Sequence, residues 1–287
     1  MKTMKRALVA LILTGLLLAS GCSLLSDLKD TQSPKVEVVD QRVVGLSLDQ
    51  VDLEVDVAVL NPNPFSVPMG ALDYTLSIQD RRLLSGEQPQ GTTLTRDQKV
   101  VVTFPVTLEF SEAASALGGL VGTNELSYHL AGGMRFDVPL LGERRVPLET
   151  DGRFPVPQLP RVSVGRLKAD SVSFSRVLLI LELEFSNPNV FDLQIDDFDY
   201  GFSLNSTRVA GGGLTPGLLL PAGEQVTLEL PFSVSLSDLG RSGFAALVEG
   251  SALHYSLNFT SAWGSDFSPL GSLEYSAKRE GRLPMQR

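Results

Sequence analysis

At 287 residues the chain is longer than one small sandwich requires, and 43% hydrophobic with 20% charged side chains place it among sequences that bury a core rather than among disordered ones. A formal charge of −9, without dense runs of Lys or Arg, argues against nucleic-acid partners and against flat adsorption on anionic lipid. One cysteine excludes a disulfide within the chain, and two histidines leave little for a metal centre or a nucleophile–base pair.

In chain order, Lys2, Lys5 and Arg6 precede the apolar run Ala7 to Leu18, and the small residues Ala19, Ser20 and Gly21 follow. This is the grammar of a signal peptide over residues 1–21. As a helix the run would rise about 18 Å, short of the roughly 30 Å hydrocarbon core that a retained span must cross. Leu18-Ala19-Ser20-Gly21-Cys22 resembles the bacterial lipobox, with Ala19 where Leu is commonest. That resemblance implies cleavage before Cys22 and acylation of Cys22, several acyl chains on one residue making a firm anchor. Loss of the leader, which carries three cations and no carboxylates, takes the formal charge from −9 to −12. Residues 22–33 form the lipidated tether.

Beyond the tether the dominant period is two. Val51, Leu53, Val55, Val57 and Val59 alternate with mostly polar residues, which predicts a strand with one buried face. Asn61-Pro62-Asn63 follows at once, and Phe65 two residues on is expected to tuck into the core; proline presets the turn and the asparagines can bond backbone amides. Leu72, Tyr74, Leu76 and Ile78 predict a second strand, and Val100 to Phe110 a third. After Ser111 the apolar residues Ala113, Ala114, Leu117, Leu120 and Val121 recur at three and four, predicting a short helix with a serine N-cap.

Shifted by 126 positions, the sequence matches itself without a gap for about eighty residues. Pro34 falls on Pro160, Asn61-Pro62-Asn63 on Asn187-Pro188-Asn189, Phe65 on Phe191, Asp73-Tyr74 on Asp199-Tyr200, Gly86 on Gly212 and Pro105 on Pro231; later, Gly152-Arg153 falls on Gly281-Arg282. The chain therefore reads as two domains, 34–158 and 159–287, joined by the stiff connector Pro155 to Pro160. In the second copy Val177 to Phe185 is the first strand, with Leu178 and Ile180 making its outer face unusually apolar, and the helix is expected after Ser237. The predicted fold class is all-β: two tandem immunoglobulin- or fibronectin-III-like β-sandwiches, each with one short helix.

A strand of alternating hydrophobics running into Asn-Pro-Asn-x-Phe, with a helix late in the domain, resembles the late embryogenesis abundant type 2 family, also called the water stress and hypersensitive response domain. Asn61, Pro62, Asn63 and Phe65, and again Asn187, Pro188, Asn189 and Phe191, carry the resemblance, which covers nearly all of the mature chain. It implies a fibronectin-III-like sandwich, a link to desiccation, osmotic or cold stress, and no enzyme activity or cofactor. Its bacterial members are often lipoproteins, and by their sorting rule Ser23 sends the protein to the outer membrane, facing the periplasm.

Other candidate sites have plainer readings. His129 and His254 are out of phase with the inward rows and do not coincide in the repeat, so both are expected in solvent. Asp196, Asp197 and Asp199 read as a solvated acidic turn rather than a calcium loop, because the first copy has Gly70, Ala71 and Asp73 there. Gly211-Gly212-Gly213 reads as a hairpin connection, since no helix with a lysine follows. The sequons at Asn205 and Asn258 would matter only in a eukaryotic secretory setting. The expected function is non-enzymatic, lipid-anchored stress protection in the envelope; the alternatives are an adaptor for an envelope protein and a carrier of an apolar ligand between the sheets.

Overall fold

The computed structural model describes residues 31–119 and 122–286. The leader, Cys22, Ser23 and most of the tether lie outside these residues, as do Leu120 and Val121. The chain divides into two compact units, the first drawn chiefly from Asp52–Gly119 and Ser127–Arg153 and the second chiefly from Phe154–Arg287.

Unit 1 contains β1 (Lys35–Leu46), β2 (Gln50–Leu60), β3 (Val67–Ile78), β4 (Arg81–Pro89), β5 (Thr93–Leu94), β6 (Lys99–Glu109), α1 (Phe110–Leu117), β7 (Glu125–Val138) and β8 (Gly142–Pro155). One sheet has the order β1-β2-β6, the other β4-β3-β7-β8 with β5 added on β3. The alternation in β2 sets the arrangement: Val51, Leu53, Val55, Val57 and Val59 are at most 2% exposed, and burying each contributes about 1.5–3 kcal/mol. From the opposite sheet come Leu72, Leu76, Leu130, Met134 and Phe136, all buried. Tyr74 of β3 meets Phe104 of β6 across the gap, ring centroids 5.8 Å apart.

Unit 2 repeats this order with β9 (Arg161–Val172), β10 (Arg176–Ser186), β11 (Leu193–Leu204), β12 (Thr207–Leu214), β13 (Leu218–Leu220), β14 (Gln225–Ser235), α2 (Leu236–Glu249), β15 (Ala252–Ser265) and β16 (Leu273–Gln286). Its two sheets, β9-β10-β14 and β12-β11-β15-β16, join into one because β16 runs parallel to β9 at Met285↔Leu167 and Gln286↔Lys168. Phe185 of β10 fills the space between them, against Phe198 at 5.4 Å and Trp263 at 6.0 Å. The structure is thus two all-β, sandwich-like sheet pairs in tandem, each with a short helix.

Several matched residues acquire a reason here. Pro105 and Pro231 sit exposed in β6 and β14, which are sheet edges, where a residue without an N–H removes one of the donors that a further strand would pair with. Gly86 and Gly152 leave room for the rings of Tyr74 and Tyr128, which would lie within 2.7 and 2.5 Å of an added Cβ. Gly281 does the same for Tyr255 at 2.8 Å.

Five expectations need correction. Ser111 is not an N-cap: α1 starts two residues earlier because Phe110 continues the inward row of β6, and Glu109 at the cap position makes no side-chain cap bond. In unit 2 the cap is Ser235, whose Oγ accepts the Asp238 N–H at 3.1 Å, and Gly240 (φ 63°, ψ −171°) kinks the helix. Asp196, Asp197 and Asp199 lie on strand β11 beside a bulge rather than in a turn, and Gly211 to Gly213 belong to strand β12, paired with Tyr200 and its neighbours. Phe65 is only half-buried, whereas Phe191 is covered by Phe267 of the longer β15–β16 connection, their rings stacked at 5.6 Å.

Gly132 offers a sharp test of the packing between β3 and β7. A Cβ there would fall 2.2 Å from the Asp73 carbonyl oxygen, a backbone atom that cannot swing away, whereas one on Gly271 meets nothing within 4 Å. Gly132→Ala is expected to lower stability by about 1–3 kcal/mol, and Gly271→Ala to leave it nearly unchanged, as read from urea unfolding midpoints.

Candidate functional site

A side-chain amide offers two donors and one acceptor oxygen, and once buried each must find a partner. Asn61, Asn63, Asn187 and Asn189 are all buried, at 0, 1, 1 and 2% exposure. In unit 1 the Asn61 Nδ2 donates to the carbonyls of Phe65 (2.7 Å), Thr95 (3.1 Å) and Leu94 (3.4 Å). Its Oδ1 accepts from the Asn63 backbone N–H at 3.1 Å and from Asn63 Nδ2 at 3.0 Å, the turn that Pro62 presets. Asn63 then reaches back 31 residues. Its Nδ2 donates to the Gln32 carbonyl and its Oδ1 accepts the Gln32 N–H, both at 2.8 Å, so one amide pairs with a backbone residue as a neighbouring strand would.

Unit 2 repeats this clamp bond for bond. Asn187 Nδ2 donates to Phe191 (2.8 Å), Leu220 (3.0 Å) and Pro221 (3.2 Å), and its Oδ1 accepts from Asn189 N–H (2.9 Å) and Nδ2 (3.0 Å). Asn189 holds Gln158 through Nδ2 to the carbonyl (2.9 Å) and Oδ1 from the N–H (2.7 Å). The backbone closes the same way in both: Asn61 N–H to Gln98 carbonyl and Asn187 N–H to Glu224 carbonyl, each 2.9 Å. The motif therefore does more than end a strand, because it fastens the segment leading into its unit. In unit 2 that segment is held twice more, by the Tyr275 hydroxyl donating to the Pro160 carbonyl at 2.7 Å and by Arg279 Nε donating to the Val162 carbonyl at 3.0 Å.

Sequence reading missed the partners. Gln32 and Gln158 stand 126 apart, two residues before the matched prolines, and that coincidence was the available signal. It also missed the charged groups on the sheet faces. Glu182 of β10 is buried between Arg166 Nε (2.7 Å) and Lys168 of β9, and the two cations hold its carboxyl below the ordinary range. In unit 1, Arg145 grips Asp73 with two bonds (3.0 and 2.6 Å) and likewise holds its carboxyl down.

The clamp contains amides and carbonyls, which neither titrate nor attack. His129 is exposed, with Nδ1 2.9 Å from Asp151 Oδ1, and exposed His254 accepts from Arg282 Nε at 3.2 Å. Among the described residues no group of three or more His, Cys, Asp or Glu side chains converges on a point that could hold a metal. Cys22, the expected lipidation site, lies outside the described residues.

Two substitutions test the clamp. Asn187→Ala strands buried carbonyls and the Asn189 amide, and unsatisfied groups cost about 1–3 kcal/mol each, so unfolding midpoints should fall well below those of surface variants. Burial pushes the Tyr275 hydroxyl up to about 12 from its ordinary 10.0. The folded chain thus keeps a proton that the unfolded chain sheds, and stability should decline as pH rises from about 10. Tyr275→Phe should flatten that decline in thermal melts taken from neutral to alkaline pH.

Comparison with known proteins agrees with the duplicated geometry. The family model described as "Late embryogenesis abundant protein" matches twice, at residues 56–152 and 182–269. A desiccation-related protein of Arabidopsis thaliana is 30% identical over 132 residues, 46% of this chain and 80% of its own. The late embryogenesis abundant protein Lea14-A of Gossypium hirsutum is 24% identical over 128 residues, 45% and 85% of the two chains. A solution structure of a late embryogenesis abundant protein, 28% identical, aligns with 52% of this chain and 86% of its own at a TM-score of 0.39. With both of its repeats matched, this chain belongs to the late embryogenesis abundant protein family, LEA_2.

Proposed function

We propose that the protein is a non-enzymatic, lipid-anchored component of the bacterial cell envelope that protects against desiccation and osmotic stress. The observation that carries this reading is the double family match: relatives named for desiccation each correspond to about one repeat of this chain. The clamp gives the reading a physical basis. Its buried amides are satisfied by protein carbonyls and N–H groups, so this part of the fold does not call on bulk water to complete its bonding when water is withdrawn. Supporting the envelope location are the leader 1–21, the lipobox ending in Cys22, and Ser23, which directs such proteins to the outer membrane with the domains in the periplasm.

A second reading, an adaptor for an envelope protein, has one observation in its favour. Phe174 at the tip of the β9–β10 hairpin is fully exposed, and Val172 beside it is 65% exposed, an apolar point of the kind that anchors interfaces. The third reading, an apolar carrier, is disfavoured because Phe185, Phe198 and Trp263 already occupy the space between the sheets of unit 2.

Deletion of the gene, followed by drying and osmotic challenge, separates these readings. Stress protection predicts lower survival of the deletion strain, restored by the wild-type gene and not by Cys22→Ala, with the variant recovered in the soluble periplasmic fraction. Full rescue by Cys22→Ala would make the anchor dispensable. Unchanged survival together with stoichiometric capture of a partner, lost in Phe174→Asp, would instead support the adaptor.

A further inference from the structure

The outer face of the four-strand side of unit 2 carries an open groove of about 630 Å³ in which polar side chains are set among apolar ones, Tyr200, Phe259 and Ala277. Strand register orders its lining into two rows running across the sheet. Gly213, Asp199, Thr260 and Ser276 lie directly opposite one another on β12, β11, β15 and β16, and next to them lie Gly211, Gly201, Asn258 and Lys278. Arg208 folds over the second row: a Cβ on Gly211 would lie 2.5 Å from its Nη2, so the glycines are what let the guanidinium lie flat on the sheet.

The repeat supplies an internal comparison. Asp73, Tyr74, Arg82 and Gly86 line a groove at the corresponding place in unit 1, and Asp199, Tyr200, Arg208 and Gly212 line this one. In unit 1 the charges are consumed internally, Asp73 by Arg145 at 2.6 Å and Glu87 by Arg135 at 3.2 Å. In unit 2 the side chains of Asp199 and Arg208 have no hydrogen-bond or ion-pair partner among the described residues, and both are exposed. Thr260 and Ser276 hydroxyls bond one another at 2.8 Å, and Lys278 pairs with Glu280 at the groove's margin.

We propose that this groove binds an acidic saccharide chain lying across the strands. An unpaired guanidinium is a fork for a carboxylate or phosphate. An unpaired carboxylate, an amide and a row of hydroxyls accept from and donate to sugar hydroxyls. Neighbouring strands are about 4.8 Å apart, comparable to one pyranose residue along a chain, so successive sugars meet successive strands. The open, shallow form suits a chain held along one side rather than an enclosed small molecule. Unit 1 retains the matched residues, but its Asp73 is paired with Arg145 and its Arg82 donates to the Ser85 hydroxyl, and so it is expected not to bind.

The test is a nitrogen-15 NMR titration of the full chain with trigalacturonic acid, alongside maltotriose and inorganic phosphate. Trigalacturonic acid should shift the Gly201, Asn258, Thr260, Ser276 and Lys278 amides while leaving the unit 1 groove unmoved, and Arg208→Gln should weaken binding roughly tenfold or more, as loss of a hydrogen bond to a charged group does. Asp199→Asn should weaken it less, because an amide keeps one acceptor for sugar hydroxyls. Maltotriose should bind markedly more weakly than the acidic trimer. Inorganic phosphate binding as tightly as the trimer would reduce the site to a bare anion contact and overturn the saccharide. Unmoved groove amides, or full affinity in both Arg208→Gln and Lys278→Gln, would overturn the site itself.

Discussion

An amide side chain buried without partners costs as much as a hydrogen bond can return, so a sequence that places two fully buried asparagines at the end of its strongest strand must bring acceptors and donors to them. In both repeats the chain does so with segments distant in sequence: one carbonyl a few residues ahead, two about thirty ahead, and a backbone residue 31 behind. The asparagine pair thus ties together three stretches that hydrophobic burial alone would leave free to slide. Alternating strands determine which faces are buried, and the amides determine how the ends of those strands are registered against the incoming chain. Burial supplies the bulk of the stabilisation, non-directional and large, while the clamp supplies direction.

Duplication lets the molecule serve as its own control. Whatever is identical in both copies, such as the clamp, the edge prolines and the tyrosine laid over a glycine of the last strand (Tyr128 on Gly152, Tyr255 on Gly281), belongs to the fold. Whatever differs marks where each copy has been turned to its own use. Unit 1 closes Asp73 and Glu87 on the outer face of its four-strand sheet into ion pairs, and unit 2 leaves Asp199 and Arg208 open. Unit 2 also joins its sheets along β9 and β16 and covers Phe191 with Phe267, whereas Phe65 stays half-buried. The family assignment rests on the shared part, and the proposed saccharide groove rests on the divergent part.

Much of the fold was legible in the sequence because its signal is periodic. Val51 to Val59 alternates over enough residues that no helix accommodates it, and the 126-residue offset identifies Val177 to Phe185 as its counterpart, and with it the duplication, without any structural information. What was not legible depends on contacts rather than periods. A serine followed by apolar residues suggested the start of α1, yet the inward row of β6 carried through to Phe110 and moved the start forward. The aspartates of β11 looked like a turn because polar clusters usually are, but a bulge lets a strand carry them on its wet face. The asparagines were recognised as a motif, while their grip on Gln32 and Gln158 was hidden, since nothing local in a sequence reports a partner 31 positions away.

Hydrogen exchange at individual amides examines the clamp most directly. The N–H groups of Gln32 and Gln158 are bonded to asparagine side chains, and those of Asn63 and Asn189 to the asparagine two residues earlier, although all four sit outside regular strands. If the clamp secures the fold, these amides exchange as slowly as those of β2 and β10, opening only with the whole unit. Exchange at the rate of exposed loop amides would show that the strands hold together without it, and would contradict the account.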